Sequence, residues 1–198
     1  MKPLEEFSLT QFSGELAKTR FPSPAGGSAC AAVLAMAAGL WELCCGVSAR
    51  KAPSSDVWEG RIKRARVLRE SGLLLIQTDT DAYEEVILTA KTKDRYPRDW
   101  QLAVRQATAT LASLGENALT LLQQMDAAAD DTTPSVQGDL ITSAHLALAV
   151  LESVCHSITV NSRMTGVEDW TEKMDELVRQ LQSDGRRLAA AILPQPLP

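Results

Sequence analysis

The segment from Ser28 to about Arg50 consists almost entirely of small and apolar residues, alanine above all. Apolar residues spread around nearly the whole circumference of a helix are typical of a buried helix. Small side chains also allow a neighbouring backbone to approach closely. We therefore predict that this segment forms a helix at the centre of the fold.

Most of the remaining chain follows the same helical period, and strand signals are nearly absent. Clusters of proline, glycine and polar residues separate the helical segments and mark the turns. The predicted helices cover residues 8–19, 28–50, 55–80, 81–93, 100–129, 136 or 139 to 164, and 167–192, and Ser8 is predicted to cap the first of them. The fourth starts at a capping box, Asp81 to Glu84, which restarts or continues the third. Because the links are short, we expect an all-α antiparallel bundle of six or seven helices.

The length of 198 residues suits a single domain over residues 1–198, with a disordered tail at 194–198. Two of the predicted helices, 28–50 and 139–161, are apolar almost all round. In a domain of this size, such helices indicate that a partner subunit covers part of their surface. The sequence thus predicts a homodimer.

The net charge of -5 argues against nucleic-acid binding, because phosphates need a basic face. The N-terminal segment carries two acidic residues and lacks the apolar core of a signal peptide. The most apolar run, Ala29 to Trp41, has only 13 residues, whereas a helix that crosses a bilayer needs about 20. We expect a cytoplasmic protein with no membrane partner.

The residues that most often bind metals are few and badly spaced for that purpose. None of the four cysteines belongs to a CxxC pair. His145 and His156 lie about 16 Å apart along one predicted helix, too far to share a metal ion. We expect buried free thiols in a reducing compartment, and no metal site.

The turn before the alanine-rich helix, Pro24-Ala-Gly-Gly-Ser28, is the first candidate site. Glycines allow close approach of the backbone, and the free N–H groups and dipole at the start of a helix favour an anion. The plainer interpretation is a helix start that needs unusual backbone angles. The residues alone leave both interpretations open.

Further polar residues stand near the ends of predicted helices. Asp79 and Asp81 are two residues apart and do not share a helix face, so the simplest interpretation has Asp81 as a cap and Asp79 in solvent. Asp139 can likewise cap the helix that follows it. Asn161 ends an apolar helix, where a buried amide needs partners and either crosslinks helices or contacts a ligand.

In this order the motifs resemble those of the cyclodeaminase/methenyltetrahydrofolate cyclohydrolase family, across about residues 8–180. The family pattern PxPGGGSxAA corresponds to residues 22–32, and DxDAxAFxxV corresponds to residues 79–86. A third pattern, which begins with SD and ends with NVxIN, corresponds to residues 138–161. The combination of patterns, rather than any one of them, carries the resemblance.

The resemblance implies an all-helical dimer that takes a tetrahydrofolate derivative as substrate and uses no metal or redox cofactor. It also implies ring closure of 5-formiminotetrahydrofolate with loss of ammonia, or hydrolysis of 5,10-methenyltetrahydrofolate. A carboxylate near the methenyl cation would stabilise it and act as a general base on water, whereas ammonia loss needs a general acid. The implied catalytic residues are Asp81, Asp139 and Lys93, and the implied substrate-binding residues are Gly26, Gly27, Ser28, Tyr83 and Asn161.

Five positions depart from the family patterns around the implied pocket. Ala25 replaces a glycine, Ser157 an asparagine and Gly138 a serine, Thr132-Thr133 replaces Gly-Asn, and Lys93 lacks the expected Leu-Pro before it. These departures motivate an alternative, a family member that kept the dimeric scaffold but binds another small molecule, or none, as an interaction protein. A third interpretation is an unrelated helical bundle whose motifs match by chance.

Overall fold

The computed structural model describes residues 3–19, 23–51, 55–90 and 98–193. Within these ranges six α-helices follow one another: α1 (Leu9–Leu16), α2 (Gly26–Ala49), α3 (Ser55–Thr89), α4 (Arg98–Asp126), α5 (Gln137–Met164) and α6 (Glu168–Ile192). Short 3-10 turns at Leu4–Glu6 and Pro134–Val136 precede α1 and α5. The described ranges contain no strand, so the all-α prediction is confirmed. The predicted tail, 194–198, lies outside the described residues.

Helix α2 lies between α3 and α5, and its packed sides consist mainly of small residues. Leu34 and Trp41 are fully buried among them. Helices α2 and α3 approach each other very closely at Gly72, where a β-carbon would come within 2.9 Å of the Ala35 nitrogen. Such a close approach requires small residues on both helices. The alanine-rich helix is therefore central, as predicted.

Helix α5 runs antiparallel to α2. The Ser143 hydroxyl donates a hydrogen bond to the Ala37 carbonyl at 2.8 Å, and the Thr133 N–H donates to the Ser48 hydroxyl at 3.0 Å. Residue numbers therefore fall along α5 as they rise along α2, and the second half of α5 passes the start of α2. Helices α4 and α6 pack against α5 and against each other.

Helix α3 continues without a break through the capping box predicted at residues 81–84. Neither proline nor glycine interrupts residues 73–89, so nothing forces the helix to end there. The Asp81 carboxylate accepts a hydrogen bond of 2.7 Å from the Gln77 amide one turn earlier. The proposed role of Asp81 as a helix cap is therefore wrong.

The start of α5 agrees with one of the two predicted starts, Val136, and not with Asp139. The helix begins at Gln137, directly after the turn that Pro134 initiates. Asp139 thus lies in the first turn of α5, where its carboxylate interacts favourably with the helix dipole, and it is not the cap. At the first helix the prediction was right, because Ser8 and Gln11 form a capping box at the start of α1.

One side of α2 is apolar and exposed. Two large side chains on it, Met36 and Leu43, are 50% and 47% exposed. Val33, Leu40 and Val47 continue the same stripe at spacings of three and four residues, and each is partly exposed. We call these five residues the α2 stripe. The described residues cover it only in part, and the expectation of a homodimer stays a prediction.

By length and composition alone, two helical segments could cross a membrane, Gly26–Ala49 and Pro134–Met164. The core helix of a soluble protein meets the same criterion, and in each segment 44% of the most apolar window is buried inside the protein. The packing of α2 between two other helices explains its composition without a membrane. The cytoplasmic location stays a prediction.

Candidate functional site

The glycine-rich turn leads into the first turn of α2, formed by Gly26, Gly27 and Ser28. Ala25 is the N-cap residue, with φ of -133° and ψ of -155°, an extended conformation that any residue adopts. Alanine therefore fits where the family pattern has a glycine, and this departure leaves the backbone unstrained. The first intrahelical hydrogen bond runs from the Ala29 N–H to the Ala25 carbonyl, so the preceding N–H groups need other acceptors.

A carboxyl group of the chain itself occupies this helix start. The Ser28 hydroxyl and the Asp79 Oδ2 are 2.7 Å apart, and the Ser28 backbone N–H also donates to this carboxyl group. At Gly27 a β-carbon would overlap the Asp79 carboxyl group, so only glycine leaves room for it. The start of α2, which is predicted to bind an anion, is thus partly filled by the side chain of Asp79.

The expectation that Asp79 lies in solvent is wrong, because Asp79 is only 8% exposed. Residues 72, 76 and 79 share one face of α3 at helical spacing, and Gly72 and Ile76 on that face pack into the core. The same face therefore carries Asp79 against the start of α2. That spacing is visible in the sequence and places Asp79 on the face of Gly72 and Ile76, but it does not show that this face meets α2.

Asp79 and two hydroxyl groups form a buried chain of hydrogen bonds. The Ser28 hydroxyl lies 2.9 Å from the Thr80 hydroxyl, which in turn donates to the Ile76 carbonyl at 3.0 Å. With the bond between Ser28 and Asp79, the chain has three oxygen–oxygen contacts. The two hydroxyl groups supply only two protons, whereas a protonated Asp79 supplies the third. Neutral Asp79 therefore satisfies every contact in the chain.

The electrostatics of Asp79 shift its equilibrium towards the protonated form. Burial raises its pKa, and the hydrogen bonds from the Ser28 hydroxyl and N–H oppose that rise without cancelling it. On α2, the Cys30 thiol faces Asp79; burial raises the pKa of Cys30, and the negative charge of an ionised Asp79 raises it further. The Ser153 hydroxyl of α5 forms a hydrogen bond with Cys30, which places this part of α5 beside the start of α2.

The raised pKa of Asp79 predicts how stability depends on pH. Between the pKa of an unfolded aspartate, about 3.9, and the higher folded value, the folded protein holds a proton that the unfolded chain has lost. Relative to Asp79→Asn, which does not titrate, the wild type should therefore lose about 1.4 kcal/mol per pH unit as the pH rises through this window. Urea unfolding of both proteins at several pH values measures the difference. A wild type that gains stability over the variant with rising pH would show that the folded pKa is lowered instead.

Next to this chain lies a cleft of about 610 Å³ on the side of α3 that faces the N-terminal segment. Thr80 and Asp81 line it together, so the buried chain of hydroxyls reaches the cleft through Thr80. Its described walls carry the carboxylates of Glu15, Asp81 and Glu84 and one cation, Lys18, which pairs with Glu15 at 2.6 Å. The cleft is therefore acidic and suits a ligand with a positive charge.

Asp81 also borders a second cleft, of about 290 Å³, between α3 and α4. Thr78, Glu85 and Gln106 are among the polar residues that line it. Tyr83 lies two residues after Asp81, on a different face of α3, and is 38% exposed. Two of the implied residues, Asp81 and Tyr83, therefore stand on the accessible part of the same helix.

Asp139 lies far from these residues within one subunit. Burial, and after it the charge of Asp139, raise the pKa of the Cys44 thiol to about 12, which places Asp139 beside the second half of α2. Ser28 and Cys44 are about 24 Å apart along the helix axis. The chain therefore brings Gly27 and Ser28 to Asp79, and leaves Asp139 near the other end of α2.

The two remaining implied residues have different outcomes. Asn161 is half-buried in α5, two turns beyond Ser153, and so lies on the part of α5 that has passed the start of α2. Lys93 falls in the range 91–97, outside the described residues. The roles assigned to both stay predictions.

Among the described residues, no group of three or more histidine, cysteine, aspartate or glutamate side chains could hold a metal ion. The four cysteines are free, with Cys30 half-buried and the other three buried. The expectation that no metal takes part in the chemistry stays a prediction.

Comparisons with known proteins identify the fold and the family of this chain. The structure of formiminotetrahydrofolate cyclodeaminase from Thermotoga maritima superposes with a TM-score of 0.88 at 20% sequence identity, and the match covers 96% of this chain and 95% of that chain. Curated protein sequences give no significant match. The family model described as formiminotransferase-cyclodeaminase matches residues 8–180, nearly the whole chain. The protein therefore belongs to the formiminotransferase-cyclodeaminase family, through the cyclodeaminase fold.

Proposed function

We propose that this protein is a folate-dependent one-carbon enzyme. It would cyclise 5-formiminotetrahydrofolate with release of ammonia, hydrolyse 5,10-methenyltetrahydrofolate, or do both. The observation that carries the proposal is the buried Asp79 on the start of α2, joined through Ser28 and Thr80 to an acidic cleft. Family membership and the fold shared with a cyclodeaminase support it.

Both reactions involve a methenyl group with a delocalised positive charge, which the ring closure forms and the hydrolysis consumes. Carboxylates fixed in a cleft stabilise such a cation, because they are in place before the charge develops. Asp81 and Glu84 stand in the acidic cleft and suit this role. In hydrolysis, Asp81 also acts as a general base that takes a proton from the attacking water. Neither reaction changes the oxidation state of the one-carbon unit, so the proposed enzyme needs no redox cofactor.

A homodimer is part of this proposal. The α2 stripe is a row of apolar residues at coiled-coil spacing, and Leu40 lies at its middle. Two copies related by a two-fold axis near Leu40 would pair their α2 helices antiparallel. The second half of one α2, with Asp139 beside it, would then face the start of the other α2. The dimer would thus bring Asp139 of one subunit towards Asp79 of its partner.

One observation favours the alternative of an altered family member. Two of the departures, Thr132-Thr133 and Gly138, lie at the Asp139 end of the molecule, where Thr133 bonds to Ser48 and Thr132 bonds to the preceding turn. The hydrogen bonds of Thr132 and Thr133 therefore stabilise the turn before α5. A protein altered in this way would keep the Asp79 end and bind a different small molecule, or none.

The test follows the absorbance of 5,10-methenyltetrahydrofolate and the ammonia released from 5-formiminotetrahydrofolate, with spontaneous hydrolysis subtracted. We expect the wild type to accelerate at least one reaction, and Asp81→Asn to lower that rate by about 100-fold, the usual contribution of a general base or a fixed charge. Asp126→Asn, an exposed carboxylate at the end of α4, is the matched control and should keep the wild-type rate.

A wild type that accelerates neither reaction and binds no tetrahydrofolate in equilibrium dialysis would refute the enzymatic proposal. The alternative of an altered family member would then stand. If instead the wild type is active and Asp81→Asn equals it, the folate activity stands and the role of Asp81 is wrong.

A further inference from the structure

We propose that Asp79 stores the proton that the leaving nitrogen takes up, and that the hydroxyls of Ser28 and Thr80 pass this proton to the cleft. The proposal rests on the proposed cyclodeaminase activity and names the acid that this activity needs. Asp79 lies behind Thr80 and acts through it, so Thr80 is the group that meets the substrate and Asp79 is a positioning residue.

The geometry of the chain of hydroxyls supports this direction of transfer. Asp79 and Ser28 are buried, and the contact of 2.7 Å between them is short. Thr80 is in contact with Ser28 at 2.9 Å and also lines the cleft. Once the Thr80 hydroxyl turns from the Ile76 carbonyl towards the cleft and gives up its proton, that proton can be replaced from Ser28, and that of Ser28 from Asp79.

The other carboxyl groups near the cleft are less suited to donate a proton. Asp81 is exposed and accepts a hydrogen bond from the Gln77 amide, so it presents an acceptor rather than a donor. Glu15 is paired with Lys18. Asp79 has no lysine or arginine among the groups that shift its pKa, and the groups that face it are Ser28 and the Cys30 thiol on α2. Among the described residues no cation pairs with Asp79; the Ser28 hydroxyl and N–H at the start of α2 favour its ionised form, and burial favours the neutral acid more strongly.

The proton balance of the reaction requires such a donor. N10 of the folate attacks the formimino carbon, which forms the new carbon–nitrogen bond, and the N10 proton moves to the exocyclic nitrogen to give an amino group. The bond between the carbon and this amino group then breaks, and its electron pair leaves with the nitrogen. That nitrogen takes a proton from Thr80 and departs as ammonia, which leaves the methenyl cation. Thr80 is reprotonated by Ser28, Ser28 by Asp79, and the Asp79 carboxylate by water.

Two isosteric substitutions test the chain of hydroxyls. In Asp79→Asn, the new amide can still donate to the Ser28 hydroxyl and accept from the Ser28 N–H, but it holds no acidic proton. Thr80→Val removes the Thr80 hydroxyl at nearly constant volume. We expect each to lower kcat for ammonia release by about 100-fold or more, with little change in KM. Thr80→Ser should restore most of the rate. Thr120→Val removes a hydroxyl from the exposed side of α4 and should leave the rate unchanged.

Three further measurements separate a proton chain from a purely structural role. The double variant Asp79→Asn/Thr80→Val should be no slower than either single variant, because both break the same chain. The wild-type rate should fall as the pH rises through the Asp79 pKa, and Asp79→Asn should lack this fall. Carbon-13 NMR of the aspartate carboxyl groups should show one signal of a protonated acid at neutral pH, absent from Asp79→Asn.

The outcomes that overturn the proposal are distinct from those that overturn the folate function. If the wild type releases ammonia and either single variant matches it, or if the two losses multiply in the double variant, Asp79 is not the proton source. An ionised Asp79 at neutral pH overturns the proposal as well, whatever the rates. A wild type inactive on both folates refutes the function first, and the role of Asp79 with it.

Discussion

Gly72→Ala is expected to lower the free energy of unfolding by about 1–3 kcal/mol, the usual cost of forcing an extra group into a packed core. The new β-carbon would lie 2.9 Å from the Ala35 nitrogen and 3.1 Å from both the Ala31 carbonyl oxygen and the Ala35 Cα. All three are backbone atoms of α2, so no side chain can turn away, and the two helices must separate. The separation would also loosen the face that holds Asp79 against α2.

Gly46→Ala is the matched control for this substitution. Gly46 lies in the interior of α2, and a β-carbon there would meet nothing within 4 Å. Alanine should therefore stabilise the protein by about 0.5–1 kcal/mol through its higher helix propensity. Urea unfolding of the three proteins measures both changes. If Gly72→Ala is as stable as Gly46→Ala, the close packing of α2 and α3 is wrong.

Gly27→Ala is expected to lower the folate activity by about 100-fold or more, because its β-carbon takes the space of the Asp79 carboxyl group. The carboxyl group is the end of a short side chain, and its displacement breaks its bond to Ser28. A buried polar group without its partner also costs about 1–3 kcal/mol, so the protein should melt at a lower temperature. Rates of ammonia release and methenyl hydrolysis, with thermal melting, measure both effects.

The neighbouring glycine provides the control, since Gly26→Ala places a β-carbon where nothing lies within 4 Å. It should leave the position of Asp79 and the melting temperature nearly unchanged. If Gly26→Ala and Gly27→Ala lose the same stability, the helix start needs glycine for its backbone conformation. The space that Gly27 leaves for Asp79 would then not explain the loss. The melting temperatures give this answer even if the protein has no activity on folates.

Much of the fold could be predicted because helical periodicity is a local property. The capping box at Ser8 and the alanine-rich composition of α2 depend on residues within one or two turns, and both predictions were confirmed. The predictions at Asp81 and Asp139 failed for a local reason as well. A polar residue at a suitable spacing marks a helix start only when the chain before it is not already helical, and α3 and α5 had begun earlier.

The candidate site was only partly predictable. The glycine turn and the aspartate motif are visible in the sequence, and their order along the chain carried the resemblance to the family, which the match over residues 8–180 confirms. Which of the two aspartates lies against α2 was misjudged. Spacing shows that Asp79 and Asp81 lie on different faces of α3, but it does not show which face meets another helix.

The sequence by itself determined that the chain is helical, which helix is central and which family it belongs to. Each of these follows from composition, period or motif order along the chain. Only the tertiary structure decided that Asp79 is buried on Gly27 and Ser28, and that Asp81 is left in an acidic cleft. It also placed Asp139 beside Cys44, which lies about 24 Å from Ser28 along α2. Burial, and with it the pKa of a carboxyl group, depends on which surfaces two helices present to each other, and residues 51 positions apart create the contact between Ser28 and Asp79.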